Sequence, residues 1–171
     1  MVTAPIIPSH HGCLHGKALK TAAEKKTLRT VEWAYRFKLA GQNDIMQSIE
    51  MAHAADRADL FYASDRKQIR GRPIADYVSS EYGVALLLDQ HVNRPGHVPK
   101  VLAQAVDEFV DGRGGNDGPS LWSADDEARL LEIYIRLRNA TSMTDAQARA
   151  DRTRKAANLG LASDRRGSYE A

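Results

Sequence analysis

Apolar residues recur at spacings of three and four over most of the chain and alternate nowhere for any length. That period places them on single helical faces, so the pattern predicts an all-α protein. The first helix is expected from about Ala18 to Leu39, with Leu28, Val31, Tyr35 and Leu39 on its inward face and Gly41 as its stop. Asn43 is placed to cap a second helix, whose buried face would use Ile45, Ile49, Ala52 and Leu60, fading near Ser64. A basic, irregular stretch, 64–72, follows, and Pro73 suits the first position of a short helix through Val78.

Ser79 or Ser80 is placed to cap the next helix, Glu81 to about Asn93, which is apolar almost all round its first turns. A helix of that kind belongs at the centre of a fold. Arg94-Pro95-Gly96 ends it, because the residue before a proline avoids helical backbone. Pro99 opens another helix, with Leu102, Val106 and Phe109 inward. The segment 111–119 holds four glycines and a proline and breaks the chain. Ser123 with Asp126, and Thr144 with Gln147, read as capping boxes for two further helices. The first of these runs to about Asn139 with Leu130, Ile133, Tyr134 and Leu137 periodic; the second reaches Asn158 and stops at Gly160. The expected architecture is about seven helices around the central helix 81–93. An arm over 1–16 precedes one helical domain, 17–160, and a tail, 161–171, follows it.

Composition narrows the class without naming a function. The chain has 171 residues, enough for one domain with a real core, and a near-ordinary balance of 43% hydrophobic and 27% charged residues. A net charge of +2 does not by itself imply a nucleic-acid partner. The single cysteine, Cys13, rules out an internal disulfide framework. The longest apolar run, Val84 to Leu88, falls far short of the roughly 18 residues of a membrane span. The start of the chain lacks a basic region followed by a long apolar one, so no signal peptide is expected and the default location is the cytoplasm. No membrane partner and no cofactor are expected.

Three places hold candidate chemistry. His10, His11, Cys13 and His15 offer imidazole and thiolate ligands for zinc or copper, although no second cluster of matching spacing accompanies them. The plainer account is an exposed arm with no resident metal. The end of the central helix concentrates Asp89, Gln90, His91, Asn93, Arg94 and His97 within nine positions. Polar groups beside a buried element must be hydrogen-bonded or face a cleft, so this region is either an internal network or a binding site. The third place is charge. Lys17, Lys20, Lys25, Lys26, Arg29, Arg36 and Lys38 lie near the start, and Arg149, Arg152, Arg154 and Lys155 on the last helix. They suit an anionic partner or a solvated helix face.

The run Leu39–Ser48, the helix end Leu60-Phe61-Tyr62, the basic turn and Gly83–Val92 together resemble the chitosanases of glycoside hydrolase family 46, which belong to the lysozyme-like group. The helix around Tyr134 and Arg138, and the ending Arg149–Ala157, Gly160 and Arg166–Tyr169, are similar to chitosanase-like and peptidoglycan-associated proteins. The resemblance spans about 25–168 and implies inverting hydrolysis in a cleft, which uses two carboxylates roughly 6.5–9.5 Å apart. In the family these come from the N-terminal segment; here 1–24 offers only Glu24, so no catalytic residue carries over. The expectation is a lysozyme-like domain that binds or hydrolyses peptidoglycan or chitosan, with or without its catalytic acid. Its ligand-binding candidates are Glu81, Asp89, His91, Asn93, Arg94 and His97, with Glu81, Asp89 or Glu50 at the cleft if it cleaves. The slightly basic whole-chain charge favours an anionic glycan. A helical module binding protein or nucleic acid through its basic helices is the alternative, and a polysaccharide partner ranks ahead of nucleic acid.

Overall fold

A computed structural model of the chain describes residues 13–14, 17–62, 68–113 and 118–170. Eight α-helices are present among them: α1 Ala22–Lys26, α2 Val31–Ala40, α3 Asp44–Asp59, α4 Ile74–Tyr77, α5 Glu81–Asn93, α6 Val98–Arg113, α7 Ala124–Asn139 and α8 Ala146–Asn158. Extended structure is limited to an antiparallel pair, Cys13–Leu14 with Lys17–Ala18, and a bridge between Ile69 and Arg72. The protein is therefore all-α. The chain divides into two units, 1–51 and 52–171, where the pattern predicts one domain.

In the N-terminal unit the expected helix 18–39 is two helices. Thr21 and Glu24 form a capping box that starts α1. The Thr27 hydroxyl then donates to the Glu24 carbonyl, and Thr30 caps α2 by accepting from the Trp33 N–H. Two threonines thus end and restart the helix, because their short hydroxyls compete with backbone bonding. The expected inward face is outward here: Val31, Tyr35, Leu39 and, on α3, Ile45 are all exposed. Asn43 does cap α3, accepting from the Ile45 and Met46 N–H groups.

The C-terminal unit carries the core. α3 contributes Ala58, and Leu60, expected inside, is exposed, while Phe61 and Tyr62 are buried. Pro73 sits one position earlier than expected, as the N-cap of α4. Ser80 caps α5, accepting from the Gly83 N–H. α5 buries Tyr82, Gly83, Val84, Leu86, Leu87, Gln90 and His91, which spread round the helix, and this places it centrally. α6 lies along α7 and buries Val98, Val101, Leu102, Ala105, Val106 and Phe109 on one stripe. Trp122 packs edge-on against both Tyr77 and Phe109, with ring centroids 5.6 and 4.8 Å apart.

α7 starts at the expected Ser123–Asp126 capping box. The Ser123 backbone N–H, and then Arg113, hold the Asp126 carboxyl down at about 2. α8 lacks the box expected at Thr144 and Gln147. Its N-cap is Asp145 in left-handed backbone (φ 52°), with no side-chain bond to the helix. Gln147 is used instead between Asn139 and Asp151. Residues 161–170, expected to be a tail, run back across the start of α5: the Tyr82 N–H donates to Ser163 O and the Tyr169 N–H to Ser79 O, both at 3.0 Å.

Candidate functional site

The residues expected to form a site at the end of α5 separate into different roles. Asp89 is largely buried and lies between two guanidinium groups. Arg138, fully buried, reaches it at 3.2 Å, and the Arg149 Nε donates to it at 2.9 Å with a second contact from Nη2. Arg138 also donates to the carbonyls of Leu86 and Ala146, so one side chain of α7 joins α5 to the start of α8. The bond to Asp89 raises the Arg149 pKa, as expected of a guanidinium held by a carboxylate. His91 is buried with its ring 4.7 Å from that of Phe61. Gln90 is fully buried and accepts from the Tyr134 hydroxyl, whose pKa burial pushes up.

Asn93 is exposed and donates to the Asp89 carbonyl one turn back. Arg94 donates to the Ser142 hydroxyl at 2.5 Å, and His97 is half-buried in the turn before α6. Glu81 stands at the other end of α5 and accepts from the Ser163 N–H at 2.6 Å. The cluster that looked like a site in sequence is thus mainly an internal clamp. Glu50 lies on α3 in the N-terminal unit and is exposed. His10, His11 and His15 lie outside the described residues, as does the Cys13 side chain. No group of three or more potential metal ligands occurs among the described residues.

A second buried carboxylate was missed in the sequence. Glu127 is 1% exposed on α7 and accepts from the Ser79 and Ser80 N–H groups at about 3 Å. Arg166 Nη1 reaches it at 2.7 Å. Periodicity carried the signal: 127, 130, 134 and 138 share one face of α7, so Glu127 and Arg138 bracket the apolar stripe on its buried side. The position of Gly83 follows from this packing. A Cβ there would overlap Val78 Cγ1 and stand 2.9 Å from Ser80 Oγ and 3.2 Å from Glu127 Oε1.

Among the described residues, the C-terminal unit carries the following grooves. One of about 580 Å³ lies between α6 and α7, lined by Glu108, Phe109, Arg113, Asp126, Arg129 and Ile133. The other two share Tyr82 and Arg154. One, about 320 Å³, is walled by Asp125, Glu127, Leu131, Asp164 and Arg165. Its companion, about 190 Å³, is walled by Glu132, Ile135, Gln147, Ala150 and Asp151.

Tyr82 forms the common floor and is 3% exposed. The Arg154 guanidinium lies 4.8 Å above its ring, a cation–π contact. Its hydroxyl is buried and has no hydrogen-bond partner among the described residues. Burial raises its pKa, with Arg154 and then Arg138 opposing and Asp151 and Glu132 adding. A buried polar group left without a partner costs stability, so this hydroxyl weakens the packing beneath the two grooves. Set beside known proteins, the chain matches no family model, no curated protein and no solved structure, so a functional reading rests on this groove and its chemistry.

Proposed function

We propose that the C-terminal unit binds a polysaccharide bearing free amino groups, of the chitosan type, in the double groove above Tyr82. The observation that carries this reading is the carboxylate-rich lining of the two grooves that share Tyr82 and Arg154. Asp125, Glu132, Asp151 and Asp164 face the groove against Arg154 and Arg165, with Glu127 already matched by Arg166. Whole-chain charge argued for an anionic glycan, but a ligand meets local charge, and here the rim is acidic. Carboxylates, an amide and guanidinium groups along the groove also suit the hydroxyls of sugar rings. The resemblance to family-46 chitosanases points to the same ligand class.

Binding, rather than hydrolysis, is the activity proposed. Glu81 is engaged by the Ser163 backbone and Asp89 lies between two arginines. The basic-helix alternative loses part of its charge in α8, where Arg149 is paired with Asp89 and Arg154 covers Tyr82.

Affinity electrophoresis through gels containing soluble chitosan tests the reading, with purified peptidoglycan pelleting as the contrast. Chitosan is expected to retard the protein at low salt and less at high salt, because exposed ion pairs are screened. Glu132→Gln with Asp151→Asn is expected to weaken binding about tenfold, at roughly 0.7 kcal/mol for each exposed contact. Equal mobility with and without chitosan, or groove variants that bind like wild type, would overturn it.

A further inference from the structure

Residues 161–170 make no helix or strand, yet they are fastened at many points. The Ser163 N–H donates to the Glu81 carboxylate at 2.6 Å, and Ser163 O accepts from the Tyr82 N–H. The Ser168 hydroxyl accepts from the Glu81 N–H at 3.1 Å, and the Gly167 N–H donates to the Ser79 hydroxyl at 3.0 Å. Arg166 is the deepest anchor. Besides Glu127 it donates to the carbonyls of Asp76, Tyr77 and Pro119, at 2.7, 3.0 and 2.9 Å.

These fastenings are almost all polar. The apolar attachment is small: Tyr169 is half-buried and meets Tyr62 edge-on at 5.2 Å, while Leu159 and Leu161, at the start of the segment, are 66% and 76% exposed. Apart from the buried Arg166–Glu127 pair, which is the main lock, these polar contacts exchange with water on release and hold the segment less firmly than buried apolar area does. Gly160 (φ 72°) and Gly167 (φ 75°) take left-handed backbone at the two bends. The same segment supplies Asp164 and Arg165 to one wall of the groove, opposite Tyr82, Asp125 and Arg154.

We propose that 161–170 is a latch that releases as a unit about Gly160 while α5, α6 and α7 stay folded, and that a ligand in the groove holds it shut. The coupling half rests on the reading that the groove binds a glycan; the release half does not. A ligand that touches Asp164 on the latch and Asp125 or Arg154 on the body binds the closed state better. By linkage, closure tightens binding by the same factor, and a latch open part of the time weakens apparent affinity in proportion.

Hydrogen exchange of the full chain, resolved at the Tyr82 and Tyr169 amides, tests both halves. Without ligand, these two amides are expected to exchange together and at least tenfold faster than amides within α6 and α7. Arg166→Ala should accelerate both, leave α6 and α7 protected, and weaken binding of soluble chitosan oligomers by the factor by which opening increases. Chitosan oligomers should slow both amides in wild type. If Arg166→Ala does not fold, Tyr169→Ala, which removes the half-buried ring packed on Tyr62 and leaves the Arg166–Glu127 pair in place, is read the same way. Exchange of the two amides only at the rate of global unfolding overturns the latch. Equal chitosan affinity for wild type and a latch variant overturns the coupling. Absence of chitosan binding to wild type overturns the coupling and the groove reading together, while early joint exchange of the two amides still supports the latch.

Discussion

Arg166 and Glu127 pair at 2.7 Å across 39 positions of sequence, with side chains 17% and 2% exposed. The pair ties the end of the chain to α7, and the same carboxylate caps the turn before α5 through the Ser79 and Ser80 N–H groups. A carboxylate so placed also complements the positive N-terminus of α5. Three parts of the fold therefore depend on one buried charge.

Glu127→Gln should accordingly destabilise the C-terminal unit by about 3–5 kcal/mol, the range for removing one partner of a buried ion pair. The amide leaves Arg166 without its countercharge and turns a donor toward N–H groups that need an acceptor. Urea unfolding followed by far-UV circular dichroism measures it. A loss under about 1 kcal/mol would show that the pair contributes little.

Asp89 separates two arginines by burial. Asp89→Asn strands the fully buried Arg138 and should cost about 3–5 kcal/mol. Arg149→Ala removes a partner that is 31% exposed and should cost about 1 kcal/mol, most of its charge being screened by solvent. The ratio of the two losses, read from paired denaturation curves, is the diagnostic; equal losses would contradict the burial argument.

Gly83 is fixed by close packing. Gly83→Ala introduces a Cβ against Val78, Ser80 and Glu127, and overpacking of this kind costs about 1–3 kcal/mol. Helix propensity alone favours alanine by about 1 kcal/mol, so the sign of the measured change decides between the two effects. Thermal unfolding of the variant should show a lowered midpoint.

Tyr62 gives the protein an alkaline limit. Burial first, and then the charge of Glu127, push its hydroxyl up to about 12, against about 10 in an unfolded chain. The folded state therefore favours the neutral phenol. Its contribution is fully present below about pH 10 and is lost as pH rises through about 12, amounting to about 2 kcal/mol. Tyr62→Phe removes the bond to the Val78 carbonyl and should be less stable at pH 7, yet lose less stability between pH 9 and 11.5. Urea midpoints at the two pH values test this.

Much of the helical frame was legible because its signals are local. The span of α5, its Ser80 cap, the Ser123–Asp126 box and the inward Leu102, Val106 and Phe109 all depend on residues within a turn or two. The break at Thr27–Thr30 was also written locally, in Thr21-x-x-Glu24 and the two threonines, but the apolar spacing of Leu28, Val31, Tyr35 and Leu39 overrode it. That face is exposed in α2, which shows that periodicity proposes a face without supplying what covers it.

The polar cluster at the end of α5 was visible as composition, but its meaning was not. Asp89 reads as a site residue until Arg138 and Arg149, 49 and 60 positions away, are seen to hold it. The groove residues Tyr82, Asp125, Glu132, Asp151 and Asp164 were invisible as a set, since four separate segments bring them together.

The sequence by itself determined that the chain is helical, that Glu81–Asn93 is the central element, and where several helices begin, because helix period and capping are properties of neighbouring residues. Only the tertiary structure decided which charges are partners and which face a groove. It also turned the apparent tail 161–170 into a wall of that groove. A charge is defined by its surroundings: a carboxylate is a clamp when two guanidinium groups hold it, as at Asp89, or part of an open rim when it lines a groove, and long-range packing alone makes that difference.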